Sequence, residues 1–354
     1  MTPILFYEHS TLERLAQYLH TTYAYLLAPH FAGASPISAN VTVHDQTDRG
    51  TEAPVTRQYS RVAFSPVDVS EQKAPATASS IAIIGISGAF PQAPDVQSFW
   101  HNLHTGRDCI GEIPQERWDW HTYFGNTATE VNTTNIKWAG VVEDIDTFDP
   151  QFFGISPREA ELMDPQQRLL MMYVWKAIED AGYAAESLSG TKTALFVGTG
   201  GTGYGTLAAL ANITIEGHFS TGLASSIGPN RISYFLNLHG PSEPIETACS
   251  SSLVAIHRGV HAIESGECSV AIVGGVNTLV SPEAHISFSK AGMLSEDGRC
   301  KSFSAAANGY VRSDGVGILV LKKLADAEQA GDHIYGVIRA STENHGGHAT
   351  SLTA

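Results

Sequence analysis

The sequence contains little of what several classes of protein require. Its 4 cysteines stand far apart along 354 residues, with no CxxC pair and no metal-ligand spacing, so we expect reduced thiols, no bound metal and a cytoplasmic protein. The chain has 21 lysines and arginines against 36 aspartates and glutamates, which gives a net charge of −15. This negative charge argues against partners such as nucleic acid or an anionic membrane. Apolar runs reach only about ten residues, whereas a membrane-spanning helix needs about twenty.

The signatures of nucleotide binding are missing or incomplete. No GxxxxGK[ST] phosphate loop occurs in the chain. Gly198, Gly200 and Gly203 have the spacing of a dinucleotide fingerprint, but the window 218–228 lacks the acidic residue that would bind the ribose. We interpret these glycines as a loop in which backbone packs closely against backbone.

Composition divides the chain into three parts. Residues 1–25 hold one amphipathic helix, too small to be a domain. Residues 26–80 are rich in proline and lack apolar periodicity, which is typical of a linker. From 81 to 354, apolar strands alternate with helical stretches, which predicts an α/β domain whose largely parallel sheet is covered on both faces.

One long helical pattern runs from Arg158 to Ala181 and contains a proline. Pro165 must kink or restart this helix, because it lacks the backbone N–H and clashes with the preceding turn. We expect the Gln and Arg residues at 166–168 to satisfy backbone groups locally at the bend.

Cys249 is the most informative residue of the chain. An apolar segment delivers it to the first turn of a predicted helix, where unpaired N–H groups and the helix dipole favour the nucleophilic thiolate. Serines 250–252 suit this turn, where hydroxyls can cap free amides. Cysteine nucleophiles form acyl intermediates, and amides at a helix start stabilise an oxyanion, so the pattern predicts acyl transfer. A buried structural cysteine is the alternative.

Two histidines near the end of the chain offer other chemistry. His345 and His348 lie three positions apart with glycines between them, without a third metal ligand or a helix to hold them. They leave open an unrelated Cys–His hydrolase in which His345 is the base for Cys249. The same segment could equally be a turn.

Several ordered motifs resemble those of one family. They are Ile81–Pro91, Phe153–Ala160, Met163–Leu169, Glu246–Leu253, Ala291–Ser295, Asp297–Lys301 and Asn308–Arg312. From residue 81 to its end, the chain resembles the β-ketoacyl synthase (ketosynthase) domain of modular type I polyketide synthases. Asn344–His348 resembles the trans-acyltransferase branch, and residues 1–25 are similar to the last helix of a carrier-protein-like unit.

The resemblance implies a thiolase-like fold of α-β-α-β-α layers, in which the second half would be incomplete here. It also implies a homodimer with acyl carrier protein domains upstream and downstream as partners, and no bound cofactor. Cys249 would take an acyl chain from the phosphopantetheine arm of the upstream carrier. Malonyl on the downstream carrier would then lose CO₂ and attack the acyl thioester. Phe288 falls where the family lines its acyl pocket.

The chain also departs from the family pattern. No segment matches the family's two histidine motifs or its assisting lysine, so we expect a fragment, C-terminally truncated within 81–354, with the nucleophile but without the decarboxylation machinery. Glu246 and Ser304 stand where Asp is commoner, and Ser313 and Asp314 stand where Gly-Glu is usual. The alternative is a non-elongating domain that only binds carriers or passes acyl groups.

Overall fold

A computed structural model describes residues 17–18, 20–22 and 80–348. The chain divides into two units, residues 1–68 and 69–354. In the first unit, residues 17–18 and 20–22 are helical and fall inside the helix predicted for 1–25. The rest of that helix and the predicted linker at 26–80, apart from Ser80, lie outside the described residues.

The described part of the second unit is built on a six-stranded sheet with the order β5-β4-β6-β7-β1-β8. Its strands are β1 (Ile81–Ala89), β4 (Thr193–Gly198), β5 (Ser242–Ile245), β6 (Val270–Asn277), β7 (Gly315–Lys323) and β8 (Gly336–Ile338). A separate two-stranded ladder pairs β2 (Gly111–Glu112) with β3 (Trp138–Ala139).

The sheet is mixed, which corrects the prediction of a largely parallel sheet. Strand β4 runs parallel to β5 and β6, whereas β7 runs antiparallel to both β6 and β1, and β8 is antiparallel to β1. A strand buried on both faces is apolar at every position whatever its direction, so its sequence does not show how it pairs. The α/β class itself is confirmed.

Helices cover both faces of this sheet. They are α1 (Val96–Thr105), α2 (Trp120–Tyr123), α3 (Pro157–Leu162), α4 (Pro165–Asp180), α5 (Tyr204–Leu210), α6 (Phe219–Leu223), α7 (Ile227–Phe235), α8 (Ser251–Glu264), α9 (Glu283–Lys290) and α10 (Leu324–Ala330). Helix α4 packs on one face, where Leu170 joins the core with Ile318. Helix α8 packs on the other, where Val260 joins a second core with Leu321. Alternate residues of β7 therefore serve opposite cores, as the period of a strand requires.

Pro165 restarts the predicted long helix, which is two helices in the structure. Helix α3 ends at Leu162, and Asp164 then caps α4 by accepting a hydrogen bond from the amide of Gln166 at 2.9 Å. A proline is well tolerated at the first position of a helix, where its missing N–H has no partner to lose. The prediction that Pro165 interrupts the pattern is therefore confirmed.

The buried residues after Pro165 do not act locally, contrary to expectation. Gln167 Nε2 donates to the carbonyls of Thr221, Gly222 and Ala224 at 2.9–3.3 Å. Arg168 Nη1 donates to the carbonyl of Asp146 at 2.9 Å. Both side chains are buried, so the carbonyls within reach belong to segments that are distant in sequence, namely α6 with its C-cap and the stretch around Asp146.

No helix in the described ranges has the length and apolar character needed to cross a membrane.

Candidate active site

Cys249 lies in the turn that joins β5 to α8. The turn is a short 3₁₀ segment, Ala248–Ser250, and the Cys249 side chain is exposed. Ala248 adopts a φ of +54°, the left-handed region, which costs a residue with a Cβ atom about 1–2 kcal/mol. The structure thus has the predicted order of strand, cysteine and helix, with the cysteine held in a strained turn just ahead of α8.

Two glycines allow α8 to begin directly on the sheet. A Cβ atom at Gly198, the last residue of β4, would lie 2.8 Å from the backbone nitrogen of Ser252. A Cβ at Gly275 in β6 would lie 2.9 Å from the Ser252 Cβ. Real Cβ atoms do not approach so closely, and only glycine permits this contact. The glycines therefore allow the Cys249 turn to lie close to the carboxyl ends of the parallel strands.

The serines beside Cys249 do not cap α8, which corrects the sequence prediction. The Ser250 hydroxyl donates to the Thr247 carbonyl at 2.9 Å. The Ser251 hydroxyl donates to the Ala248 carbonyl at 2.7 Å and accepts from the Thr247 amide at 2.9 Å. Because Ala248 reverses the chain, these hydroxyls face back toward the turn. They rigidify the segment that carries Cys249.

The amide of Cys249 is available to a ligand. Its N–H has no hydrogen-bond partner among residues 80–348, since the bonds of the 3₁₀ turn are donated by later amides. An unpaired amide beside a nucleophile can stabilise the negative oxygen of a tetrahedral intermediate. The turn therefore presents both an exposed thiol and a candidate oxyanion donor.

The other cysteines lie in different environments. Cys268 is buried, and burial raises the pKa of its thiol to about 11. Cys109 is half-buried. Cys300 is exposed, but its sulfur accepts a hydrogen bond from the amide of Val311 at 3.2 Å. Only Cys249 combines exposure with a position at the start of a long helix.

A polar and aromatic wall consists of Phe288, Arg312 and Tyr310, of which Phe288 and Arg312 are in contact. Burial raises the pKa of Tyr310, the Arg312 cation lowers it, and negative charge at Cys249 adds a smaller upward effect. The Arg312 guanidinium lies over the Phe288 ring, with its Cζ 5.2 Å from the ring centroid. Phe288, on α9, is half-buried. The structure thus places the Arg312 cation against the predicted pocket residue.

Asp314 anchors the backbone behind this wall. Its side chain is buried and accepts hydrogen bonds from the amides of Leu279 at 2.6 Å and Val142 at 3.0 Å. Its Oδ2 also pairs with an Arg117 guanidinium nitrogen at 2.8 Å. Burial raises the pKa of Asp314, while Arg117 and the two amides lower it. One carboxylate therefore joins three separate segments next to Arg312.

A neutral histidine lies under the same wall. His285, on α9, is 1% exposed, and neither ring nitrogen has a hydrogen-bond partner in the described part of the chain. Its ring packs edge-on against Trp118 with centroids 5.4 Å apart. Burial, with a smaller contribution from the Arg312 cation, lowers the pKa of His285 to about 4 from its usual 6.5. The imidazole is therefore uncharged at neutral pH.

We expect His285 to make the protein acid-sensitive. The His285 side chain of the unfolded chain takes up a proton at higher pH than that of the folded protein. The stability contributed by the neutral imidazole is therefore fully present above about pH 6.5 and is lost as the pH falls through about 4. At roughly 1.4 kcal/mol per pKa unit, the free energy of unfolding should fall by about 3 kcal/mol over this range. Urea unfolding at successive pH values measures this loss.

Two variants isolate the contribution of His285. His285→Phe keeps an aromatic ring against Trp118 and should remove this component of the pH dependence. His101→Phe, at an exposed position on α1, should retain it. An unchanged pH dependence in His285→Phe would show that His285 is not the group responsible.

The glycine-rich loop and the histidine pair near the end of the chain can also be compared with their sequence predictions. Close packing against backbone is confirmed at Gly198, but a Cβ at Gly200 would meet nothing within 4 Å. At Gly203 a Cβ would meet the side chain of Ser281, and the residue has a positive φ of 85°, so the interpretation is wrong for these two glycines. His345 and His348 are exposed, and the His345 Nδ1 accepts a hydrogen bond from the amide of Gly347 at 2.9 Å. Neither histidine has a described contact with Cys249. No group of three or more His, Cys, Asp or Glu residues within 80–348 is arranged to hold a metal ion.

The chain is similar to several known proteins. The model of the β-ketoacyl synthase N-terminal domain matches residues 78–327. The polyketide synthase PksN of Bacillus subtilis is 52% identical over 100% of this chain, which covers 6% of that protein. PksR of the same organism is 42% identical over 100% of this chain, which covers 13% of its length.

Solved structures resemble the chain over most of its length. The ketosynthase from module 6 of the bacillaene synthase of Bacillus subtilis matches with a TM-score of 0.71 and 44% identity, covering 78% of this chain and 45% of that one. The oxazolomycin ketosynthase domain of Streptomyces albus matches with a TM-score of 0.73 and 39% identity, covering 78% of this chain and 49% of that one. This chain therefore spans less than half of either structure.

Proposed function

The chain belongs to the β-ketoacyl synthase family, and from this membership we propose that Cys249 is the acyl-accepting nucleophile of a polyketide ketosynthase. The observation that carries the proposal is the Cys249 turn itself. An exposed thiol and an unpaired amide are held together at the start of α8. Acyl transfer needs this combination of nucleophile and oxyanion donor.

The first step is a thioester exchange. The Cys249 thiolate attacks the carbonyl carbon of an acyl chain carried on the phosphopantetheine of an acyl carrier protein. The Cys249 amide stabilises the oxyanion of the tetrahedral intermediate. The intermediate collapses by breaking the bond to the carrier sulfur, which leaves as a thiolate and takes up a proton. The acyl chain is then bound to Cys249 and the carrier is free.

The second step, in the natural protein, is a decarboxylative Claisen condensation, for which the family also uses two histidine motifs that no segment of this chain matches. Malonyl on a downstream carrier loses CO₂, and the resulting carbanion attacks the acyl carbonyl carbon on Cys249. The new carbon–carbon bond forms as the bond to the Cys249 sulfur breaks, which regenerates the thiolate. The product is a β-ketoacyl thioester on the carrier. No separate bound cofactor takes part, because the phosphopantetheine arrives with the substrate.

The proposal includes the partners of such a domain. Carrier domains upstream and downstream deliver the two substrates in the cytoplasm. A homodimer is supported by β5, which forms one edge of the described sheet and leads directly into the Cys249 turn. An open edge strand is a template for pairing with another chain. We also propose the domain order: a carrier-like helix at 1–25, a linker at 26–80 and the ketosynthase domain at 81–354. The ketosynthase is proposed to belong to the trans-acyltransferase branch of polyketide synthases.

Loading and condensation are tested separately in the natural protein that carries this sequence. We expect one acyl group per chain after incubation with a carrier-bound or simple acyl thioester, measured by intact mass. Addition of malonyl carrier should then release CO₂ and remove the acyl group from the protein.

The outcomes distinguish the proposed reactions. Loading without CO₂ release would contradict condensation and favour the non-elongating alternative. Rapid thioester hydrolysis without a trapped acyl enzyme would contradict both the elongating and the non-elongating hypothesis and favour a hydrolase.

A further inference from the structure

A small cavity lies between the start of α4 and the loop that follows β4. Its volume is about 30 Å³, and its walls come from the first part of α4, from Thr199 and Gly200, and from residues between 223 and 228. Three of its lining residues, Gln166, Gln167 and Thr199, are more than nine-tenths buried, at 4%, 4% and 7% exposure. The cavity is thus bordered by polar side chains that have little access to solvent.

Each of these three side chains has one polar atom without a hydrogen-bond partner in the part of the chain that the structure describes. The atoms are Gln166 Nε2, Gln167 Oε1 and Thr199 Oγ1. Burying a polar atom without a hydrogen bond is costly, and folded proteins leave few such atoms unsatisfied. Three of them around one small cavity indicate that a ligand binds there.

The partners of the other amide atoms define what this ligand must do. Gln166 Oε1 accepts a hydrogen bond from the amide of Gly200 at 3.4 Å, so Nε2 is the donor that remains. Gln167 Nε2 donates to three backbone carbonyls in and after α6, so Oε1 is the acceptor that remains. The ligand must therefore accept a hydrogen bond from one glutamine and donate one to the other, and the Thr199 hydroxyl can serve in either role.

The one charged residue that lines the cavity already has partners. Asp164 Oδ1 accepts from the amide of Gln166 at 2.9 Å, and Oδ2 accepts from the hydroxyl of Thr202. A bound cation could not accept a hydrogen bond from Gln166 Nε2, and a bound anion could not donate one to Gln167 Oε1. The donors and acceptors therefore match a small neutral ligand that has both functions.

We infer that one ordered water molecule binds in this cavity and joins Gln166 Nε2, Gln167 Oε1 and Thr199 Oγ1. A cavity of roughly 10–15 Å³ is enough for one water, and a buried water typically makes about three hydrogen bonds. Both the volume and the number of unpartnered atoms satisfy these conditions. An organic ligand would need a pocket of roughly 300 Å³ or more.

The water joins segments that lie beside the Cys249 turn. Thr199 follows Gly198, the glycine against which α8 begins, and its amide donates to the carbonyl of Ile245 at 3.1 Å. Ile245 is the last residue of β5, the strand that leads into the turn. The bound water thus ties α4 to the two strand ends that support Cys249.

Two threonine variants test the water by the direction of a stability change. Thr199→Val keeps the shape of the side chain but removes one hydrogen bond to the water, so the midpoint of thermal unfolding should fall by about 2 °C. Thr278 is the matched control, because it is 2% exposed, its Oγ1 has no partner among residues 80–348, and it does not line this cavity. Thr278→Val removes a buried unsatisfied hydroxyl and should leave the midpoint unchanged or raise it. A Thr199→Val protein at least as stable as the wild type would show that the hydroxyl has no water partner and would overturn the inference.

Crystallography of the protein locates the ligand directly. At a resolution that shows ordered water, we expect the density of a single oxygen at about 2.7–3.2 Å from each of the three unpartnered atoms. Density for a metal ion, no density at this position, or a direct bond from Gln166 Nε2 to Gln167 Oε1 would each contradict the inference.

Discussion

Replacing Cys249 with alanine is expected to reduce acyl loading to background, a fall of at least about 10³-fold in rate, as for removal of an enzymatic nucleophile. The fold should survive, because the exposed side chain contributes little to packing and the turn is held by Ser250 and Ser251. Cys249→Ser should also load poorly, since a hydroxyl is a weak nucleophile at its ordinary pKa. Intact mass after incubation with an acyl thioester measures both variants.

The matched control is the other exposed cysteine. Cys300→Ala removes a thiol of similar exposure whose sulfur accepts a backbone hydrogen bond, and it should load at the wild-type rate. Loading that survives in Cys249→Ala but is lost in Cys300→Ala would place the nucleophile at Cys300 and end the account given above.

Asp314→Ala is expected to lower the free energy of unfolding by about 3–5 kcal/mol, the cost of removing one partner from a buried ion pair. The change leaves the Arg117 guanidinium with an uncompensated charge and removes the acceptor for the amides of Leu279 and Val142. Asp314→Asn should lose less, because its amide oxygen still accepts one of these bonds. Urea unfolding followed by circular dichroism measures the difference.

A charge-matched control separates the pair from the effect of net charge. Glu328→Gln removes an exposed carboxylate on α10 and should change stability by less than about 0.5 kcal/mol. In the double variant Arg117→Met with Asp314→Asn, the loss should be smaller than the sum of the single losses, because the uncompensated charge is gone. Additive losses, or a cost for Asp314→Ala no larger than for Glu328→Gln, would show that the pair does not stabilise the protein.

The position of Cys249 between a strand and a helix could be predicted from the sequence, because the signal is local; its role as the nucleophile stays a prediction. A strand, a cysteine and an amphipathic helix follow one another within a short stretch, and the structure has that order. The break at Pro165 was predictable for the same reason, since proline acts on its own helix. The family resemblance, which rested on ordered motifs, is confirmed, and so is the α/β fold that it implied.

Features that depend on distant contacts could not be predicted. The direction of β7, the carbonyls bound by Gln167 and the role of Asp314 are set by segments far away in sequence. Ser250 and Ser251 suit a helix cap, but the positive φ of Ala248 turns the backbone and gives their hydroxyls other partners. Local propensity could not reveal that turn.

The wall of Phe288, Arg312 and Tyr310 could be predicted only in part. Phe288 was named from the resemblance alone, and its role in an acyl pocket stays a prediction. Tyr310 and Arg312 belong to the motif Asn308–Arg312, and the sequence predicted no individual role for either residue. The partial burial of Arg312 and its contact with the Phe288 ring became apparent only in the structure.

Peptide mapping of the acylated protein tests the central claim most directly. The natural protein is incubated with an acyl thioester, digested at low pH to preserve thioester bonds, and analysed by tandem mass spectrometry. The account predicts the acyl mass on the peptide that contains Cys249, with the fragment ions assigning it to that sulfur. An acyl group found on Cys109, Cys268, Cys300 or a serine, with Cys249 unmodified, would contradict the account.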